Sequence, residues 1–345
     1  MPSAKEIVAN PNWFLHAINL DQQQLHFVHT DQSALSSASF LDNRFDVRSL
    51  PGISLGLQEL LEMANDLSAA PPRFVFHTAF CCSTLLARCL DLNGCSVSMK
   101  EPAVLMALAN YQRTGHELLA DGGQADSIYR LVALLLFRPF GEDQTVVVKP
   151  TNTVNNIICQ LMATHPESRA LLLHSDLKSF LLSILKKGEQ GRGFVRQLFN
   201  IFVLDSPEAQ QLQANKLLRM TDLQIAALTW HLQLEHFISA QQYTDATRMK
   251  SLHCDRLLAN SEHTLKEVVS HLAMTKLIKH HQRMIKNAPL QRNAKTPDDF
   301  FTAEDRKNEY DQIGIQFADS LDVIIPWAEK LSFRYRYSPK VDNEL

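Results

Sequence analysis

Reactive side chains in this chain gather in a short polar stretch, Thr78 to Thr84, between two apolar runs. Ser83 and Thr84 open the second run, and small hydroxylic residues there cap a helix or bond an anion's oxygen. A tight turn from strand into helix also leaves backbone N–H groups unpaired. Together with the helix dipole these suit a phosphate or sulfate. Cys82 and Arg88 satisfy C-x5-R, the spacing of a thiolate that attacks phosphorus. Leu85, Leu86 and Ala87 between them read as a buried helix face, so the anion cradle is preferred to a phosphatase loop. The six cysteines are Cys81, Cys82, Cys89, Cys95, Cys159 and Cys254. They include no C-x-x-C pair, and adjacent Cys81 and Cys82 are poorly placed for a disulfide. His231 and His236 are five apart and miss one helix face. Reduced thiols and no metal are the expectation.

The surrounding elements follow from periodicity. Ala70-Pro71-Pro72 feeds a β-rich run at Arg73–His77, then the polar loop, then a helix from Thr84 to Asp91, ended by Asn93-Gly94. Further strands are expected at 95–99, 145–148 and 169–174, and another near 249–254. Helices are expected over 103–137, 154–164 and 176–187. Strand alternating with helix implies βαβ units and a mostly parallel sheet flanked by helices, an α/β fold. Ligands of such sheets bind beyond the carboxyl ends of the strands. That rule gathers the loops 77–84, 100–102, 149–152 and 174–178 into one site. It brings His77, Lys100, Glu101, Lys149, Ser175 and Lys178 together. Residues 1–70 read as an N-terminal extension with a strand at 25–29 and a helix near 57–67, ahead of a domain over 71–335.

Composition excludes several classes. Only 11 of the 345 residues are glycine, and neither G-x-x-x-x-G-K-[ST] nor G-x-G-x-x-G occurs. The one G-x-G is Gly191-Arg192-Gly193, in a basic polar stretch. A net charge of −3 gives no bulk attraction to nucleic acid. The longest pure apolar runs, Leu131 to Phe137 among them, are far short of a transmembrane span. The N-terminus has no apolar signal core, so a cytoplasmic location is expected.

Several segments, in order, resemble the sulfotransferase family. Phe76 to Leu86 is similar to that family's 5′-phosphosulfate loop, which reads roughly G-x-P-[RK]-S-G-T-T-L-L. Lys149-Pro150-Thr151-Asn152 resembles its K-x-P-x-N region. Pro166 to Asp176 resembles its "fPdAkfi…RD" strand, and Ser183 follows Ser175 by the family's spacing of eight between 3′-phosphate ligands. Leu252 to Leu265 is similar to "yEdLlanPeetl", and Trp230 to a tryptophan that precedes it. The likeness runs from about 73 to 330. It implies the P-loop-like sulfotransferase architecture and 3′-phosphoadenosine 5′-phosphosulfate as co-substrate, with a small-molecule or peptidyl hydroxyl as acceptor. By the same likeness Phe80, Cys81, Cys82, Ser83, Thr84 and Leu85 would line the phosphosulfate. Ser175 and Ser183 would face the 3′-phosphate. Glu101, followed by proline as in some bacterial members, would be the general base, with His77 and Lys149 beside it.

Departures from the pattern bear on activity. The family's loop cation falls at Phe80, its loop glycine at Cys82 and its 3′-phosphate arginine at Ser175. Lys178, Lys149, Lys100 and His77 are possible replacements. A basic stretch from Lys276 to Lys295 contains no acidic residue, and Arg292 and Lys295 are its best ligand candidates because they read as loop. Three readings remain: an active sulfotransferase, a binding or scaffold protein on the same fold, and another phosphoryl or nucleotide enzyme.

Overall fold

The computed structural model describes the whole chain except residues 1, 65, 66, 68, 69, 213, 288, 289, 291–301, 335–340 and 342. Its centre is a five-stranded parallel sheet made of β4 (Arg73–His77), β5 (Ser96–Lys100), β6 (Thr145–Lys149), β7 (Arg169–His174) and β8 (Met249–His253). Every residue of β4 and β5 is buried, as expected of a parallel sheet covered on both faces by helices. The spatial order is β5-β6-β4-β7-β8. The chain leaves β4 toward one edge and β7 toward the other. The crevice beyond these two neighbours is therefore the topological switch point, where open α/β sheets bind ligands. At that carboxyl edge the five strands end, in spatial order, on Lys100, Lys149, His77, His174 and His253.

The N-terminal residues form a second sheet, antiparallel, from β1 (Trp13–Asn19), β2 (Gln24–His29) and β3 (Gly52–Gly56). Its buried residues Phe14, Leu15, Leu25 and Phe27 belong to the same apolar cluster as Phe74 and Phe76 of the central sheet. Between β2 and β3 the chain crosses the end of β5. The Leu41 N–H donates to the Lys100 carbonyl at 2.7 Å, and the Lys100 ammonium donates to the Ser36 carbonyl at 2.8 Å. This crossing lays Phe40 and Arg44 over the sheet's carboxyl edge.

The helices on either side are set by apolar periodicity and close packing. Gly191, from the one G-x-G, lies in the helix Gly188–Phe202, where a Cβ would collide with the Ile184 carbonyl oxygen of the preceding helix, Leu177–Lys186. Its role is close helix contact. The long helix Asp222–Tyr243 is buried on several sides and carries Gln233, which has no exposure at all. No helix among the described residues is long and apolar enough to cross a membrane.

Candidate active site

The turn after β4 is made without glycine. Phe80 and Cys82 both adopt left-handed backbone, each with φ of 62°. An L-residue pays roughly 1–2 kcal/mol for that conformation, so the surroundings must hold the loop in place. The Thr78 N–H donates to the Leu173 carbonyl at 3.0 Å, and the Ala79 N–H donates to Gln233 Oε1 at 2.9 Å. The Cys81 thiol donates to the Thr78 carbonyl at 2.9 Å, and burial pushes its pKa up to about 12. Cys81 thus braces the turn from inside. Phe80 sets its ring edge-on to Phe180 and Phe194, with centroids 5.7 Å away in both cases. Cys82 is the residue before the helix Ser83–Cys89, whose Ser83 and Thr84 are buried and whose Leu85 is half-buried. Arg88, in the last turn of that helix, donates to Ser39 Oγ at 3.0 Å. The C-x5-R residues therefore sit at opposite ends of a helix and not around one oxyanion.

Beside this turn the ends of β4, β5 and β6 converge on one charged cluster. Lys149, fully buried, places its Nζ 2.5 Å from Glu101 Oε1 and 3.2 Å from His77 Nε2. His77 Nδ1 is 2.7 Å from the Thr78 carbonyl. That carbonyl can only accept, so Nδ1 carries the proton and Nε2 faces the ammonium as acceptor. Glu101 Oε2 takes a second cation, Arg44, at 3.0 Å. The Arg44 guanidinium also pairs with Asp42 and lies over the Phe40 ring, 3.4 Å from its centroid. Glu101 itself has φ of 59°, and its N–H donates to the Lys149 carbonyl at 2.7 Å. Strained non-glycine backbone of this kind persists where the surroundings over-determine it, and it clusters at functional sites. A groove of about 360 Å³ opens beside the cluster, lined by Ser37, Ser39, Phe40, Arg44 and Phe45 among others. Lys100 is directed elsewhere. Its ammonium donates to the Ser36 and Ser98 carbonyls and lies 3.7 Å from Asp91, and burial pulls its pKa down to about 8.

On the other side of the turn, Ser175 is fully buried, and its Oγ has no hydrogen-bond partner among the described residues. The Trp230 indole donates to the Ser175 carbonyl at 3.0 Å, which ties the long helix to the end of β7. Ser183 donates to the Ser179 carbonyl at 3.0 Å and meets the Tyr310 hydroxyl at 2.5 Å. Lys178 is exposed. Arg292 and Lys295 lie outside the described residues. His231 contacts the Ala328 carbonyl and His236 contacts Asp205, both away from these loops.

Contributors from three parts of the chain were not read from the sequence. Arg44 and its ring partner Phe40 come from the N-terminal part, which the sequence marks only as an extension ahead of the domain. Gln233 accepts from both Ala79 N–H and Asn152 Nδ2, the latter at 2.8 Å. Arg306, on the helix Ala303–Gln316, donates to Tyr310 at 3.1 Å and pairs with Asp255 at 3.3 Å. All three come from segments distant in sequence from the loops they touch. The one local signal is the i, i+4 spacing of Arg306 and Tyr310 on one helix face.

No family model matches the sequence, and no curated protein matches it. Among solved structures the chain is similar to sulfotransferase STF1 from Mycobacterium tuberculosis H37Rv, at 15% identity over 76% of this chain and 81% of that one, with a TM-score of 0.41. It is similar to the sulfotransferase domain from the curacin biosynthetic pathway, at 12% identity over 73% and 99%, with a TM-score of 0.38. It is also similar to sulfotransferase STF9 from Mycobacterium avium, at 14% identity over 76% and 79%, with a TM-score of 0.38.

Proposed function

We propose that this chain is a sulfotransferase-type transferase that takes its sulfuryl group from 3′-phosphoadenosine 5′-phosphosulfate and passes it to a hydroxyl acceptor. The observation that carries the reading is the Glu101–Lys149–His77 cluster, held at the ends of three adjacent parallel strands beside the turn at the switch point. Transfer of a sulfuryl group asks for positive charge at the bridging oxygen and a base for the acceptor's proton. Lys149 would supply the first and Glu101 the second, with His77 Nε2 keeping the ammonium in place. The acceptor would approach through the groove lined by Phe40 and Arg44. The turn's backbone and Ser83 and Thr84 suit the phosphosulfate end of the donor. Ser183 would meet its 3′-phosphate. Arg306, which reaches Ser183 through Tyr310, is the cation that would replace the arginine missing at Ser175.

A second reading has its own observations. Phe80 fills the loop-cation position with a ring packed on Phe180 and Phe194, and the Ser183 hydroxyl is already taken by Tyr310. Both favour a fold kept for binding, without turnover. Thermal unfolding in adenosine 3′,5′-bisphosphate separates the possibilities. Donor-site binding should raise Tm, with about 2.7 kcal/mol of stabilisation when ligand is at 100 times Kd. No shift at millimolar bisphosphate would overturn the sulfuryl-transfer reading. A shift with ATP alone would point to a different nucleotide enzyme. Given binding, Glu101→Gln should lower the transfer rate on the order of 10²–10⁴ if Glu101 is the base. An unchanged rate would remove it from that role.

A further inference from the structure

Two thiols from distant parts of the chain meet at the edge of this site, and the proposed transfer uses neither sulfur. Cys82 stands before the helix Ser83–Cys89, and Cys254 is the first residue of the helix Cys254–Ala259 that follows β8. Cys82 packs against the apolar cluster that contains Cys254, and the two thiols interact with one another. Cys254 is buried, whereas Cys82 is half-buried. The Arg306 guanidinium lies 3.9 Å from Cys254 Sγ and also interacts electrostatically with Cys82. No disulfide joins any of the six cysteines in this structure.

We propose that Cys82 and Cys254 form an oxidisable dithiol, a modification site that reacts with small-molecule disulfides of the glutathione type. The two residues have different roles. Cys82 is the less buried of the two, and its electrostatic interaction with the Arg306 guanidinium favours the thiolate that does the attacking. Cys254 keeps its proton: the hydrogen bond to Cys82, then burial, push its pKa upward. It is therefore the resolving thiol. Burial opposes the charge on Arg306, yet Cys82, Tyr310 and Cys254 together raise its pKa above the ordinary arginine value.

The reaction balances in two exchanges. The Cys82 thiolate attacks one sulfur of the disulfide R–S–S–R, forming Cys82–S–S–R and releasing R–S⁻. The Cys254 thiol then loses its proton and attacks the Cys82 sulfur, forming the Cys82–Cys254 bond and releasing a second R–S⁻. Two protein thiols are oxidised and one external disulfide is reduced to two thiols.

Cys81 is excluded as the partner because its thiol is turned inward, toward the Thr78 and Leu173 carbonyls. A metal is also disfavoured. Donor atoms of His253, Cys254 and Asp255 do converge within 4.8 Å. Arg306, however, places a fixed positive charge among them, 3.3 Å from Asp255 Oδ1.

The test incubates the full reduced chain with oxidised glutathione, alkylates the remaining thiols and maps the non-reduced digest by mass spectrometry. The expected product is a peptide pair linked through Cys82 and Cys254, with two of the six thiols lost. Cys254→Ser should stop at a glutathione adduct on Cys82. Arg306→Gln should slow formation of that adduct about fivefold or more, and Arg306→Lys should restore most of the rate. The wild-type crosslink needs no variant to fold. No loss of thiols, a Cys81–Cys82 link, or first modification at any other cysteine would overturn the proposal.

Discussion

At the residue scale, the unusual feature is a ligand-type turn built without glycine. Phe80 and Cys82 take left-handed backbone, with φ of 62° at each. The sequence made the strand, the turn and the helix legible, and it also showed that the expected loop glycine and cation were missing. It did not show what replaces them. The answer is packing: Phe80 is held by Phe180 and Phe194, and Cys81 by two carbonyls. This gives an inverted ranking at position 80. In ordinary backbone, alanine is more stable than glycine by about 0.4–1 kcal/mol because it restricts the unfolded chain. In the left-handed region, alanine keeps a strain of roughly 1–2 kcal/mol that glycine lacks. Both variants lose the ring contacts. Phe80→Gly should therefore be more stable than Phe80→Ala by about 1 kcal/mol in urea unfolding. The opposite order would mean that the turn relaxes to another conformation once the ring is gone.

At the element scale, the alternation of strands and helices from 73 to 187 was readable because buried parallel strands are short apolar runs and their helices are amphipathic. The strand at 249–254 was readable for the same reason. Around residue 13, and at Gly52–Gly56, the signal was weak. β3 is half-exposed and begins and ends on glycine, so nothing in its own pattern marks it as a strand. The role of the helix Asp222–Tyr243 was also hidden, because a single glutamine within an apolar helix carries no motif. Yet Gln233 Oε1 accepts from the Ala79 N–H of the turn and from Asn152 after β6, so this helix sets the spacing between two site loops. Gln233→Leu would leave two buried donors without an acceptor, at about 1–3 kcal/mol each. The expected loss is about 3 kcal/mol in urea unfolding. Gln233→Glu keeps the accepting oxygen but buries a carboxyl group against the Thr229 carbonyl, so it should be milder only at low pH, where that group is protonated and can donate. Equal losses in the two variants under those conditions would mean that the accepting oxygen is not what this position contributes.

At the scale of the whole molecule, the buried histidines make stability depend on pH in a definite direction. Burial, then the neighbouring His253, lowers the His174 pKa from 6.5 to about 4. Burial also lowers the values of His16, His231 and His271. In the unfolded chain these imidazoles take up protons below about pH 6.5. In the folded chain His174 stays neutral until about pH 4. Across that window the unfolded state binds more protons, so stability rises with pH and is lost as pH falls. One such group contributes a slope of at most about 1.4 kcal/mol per pH unit. Urea midpoints measured at pH 4.5, 5.5 and 6.5 should therefore increase in that order. His174→Gln removes one titrating group from the window and should flatten the rise, whatever it does to stability at neutral pH. If the slope is the same with and without His174, the acid sensitivity belongs to the other buried histidines, and the imidazole at the end of β7 is more open to water than its packing against His253 implies.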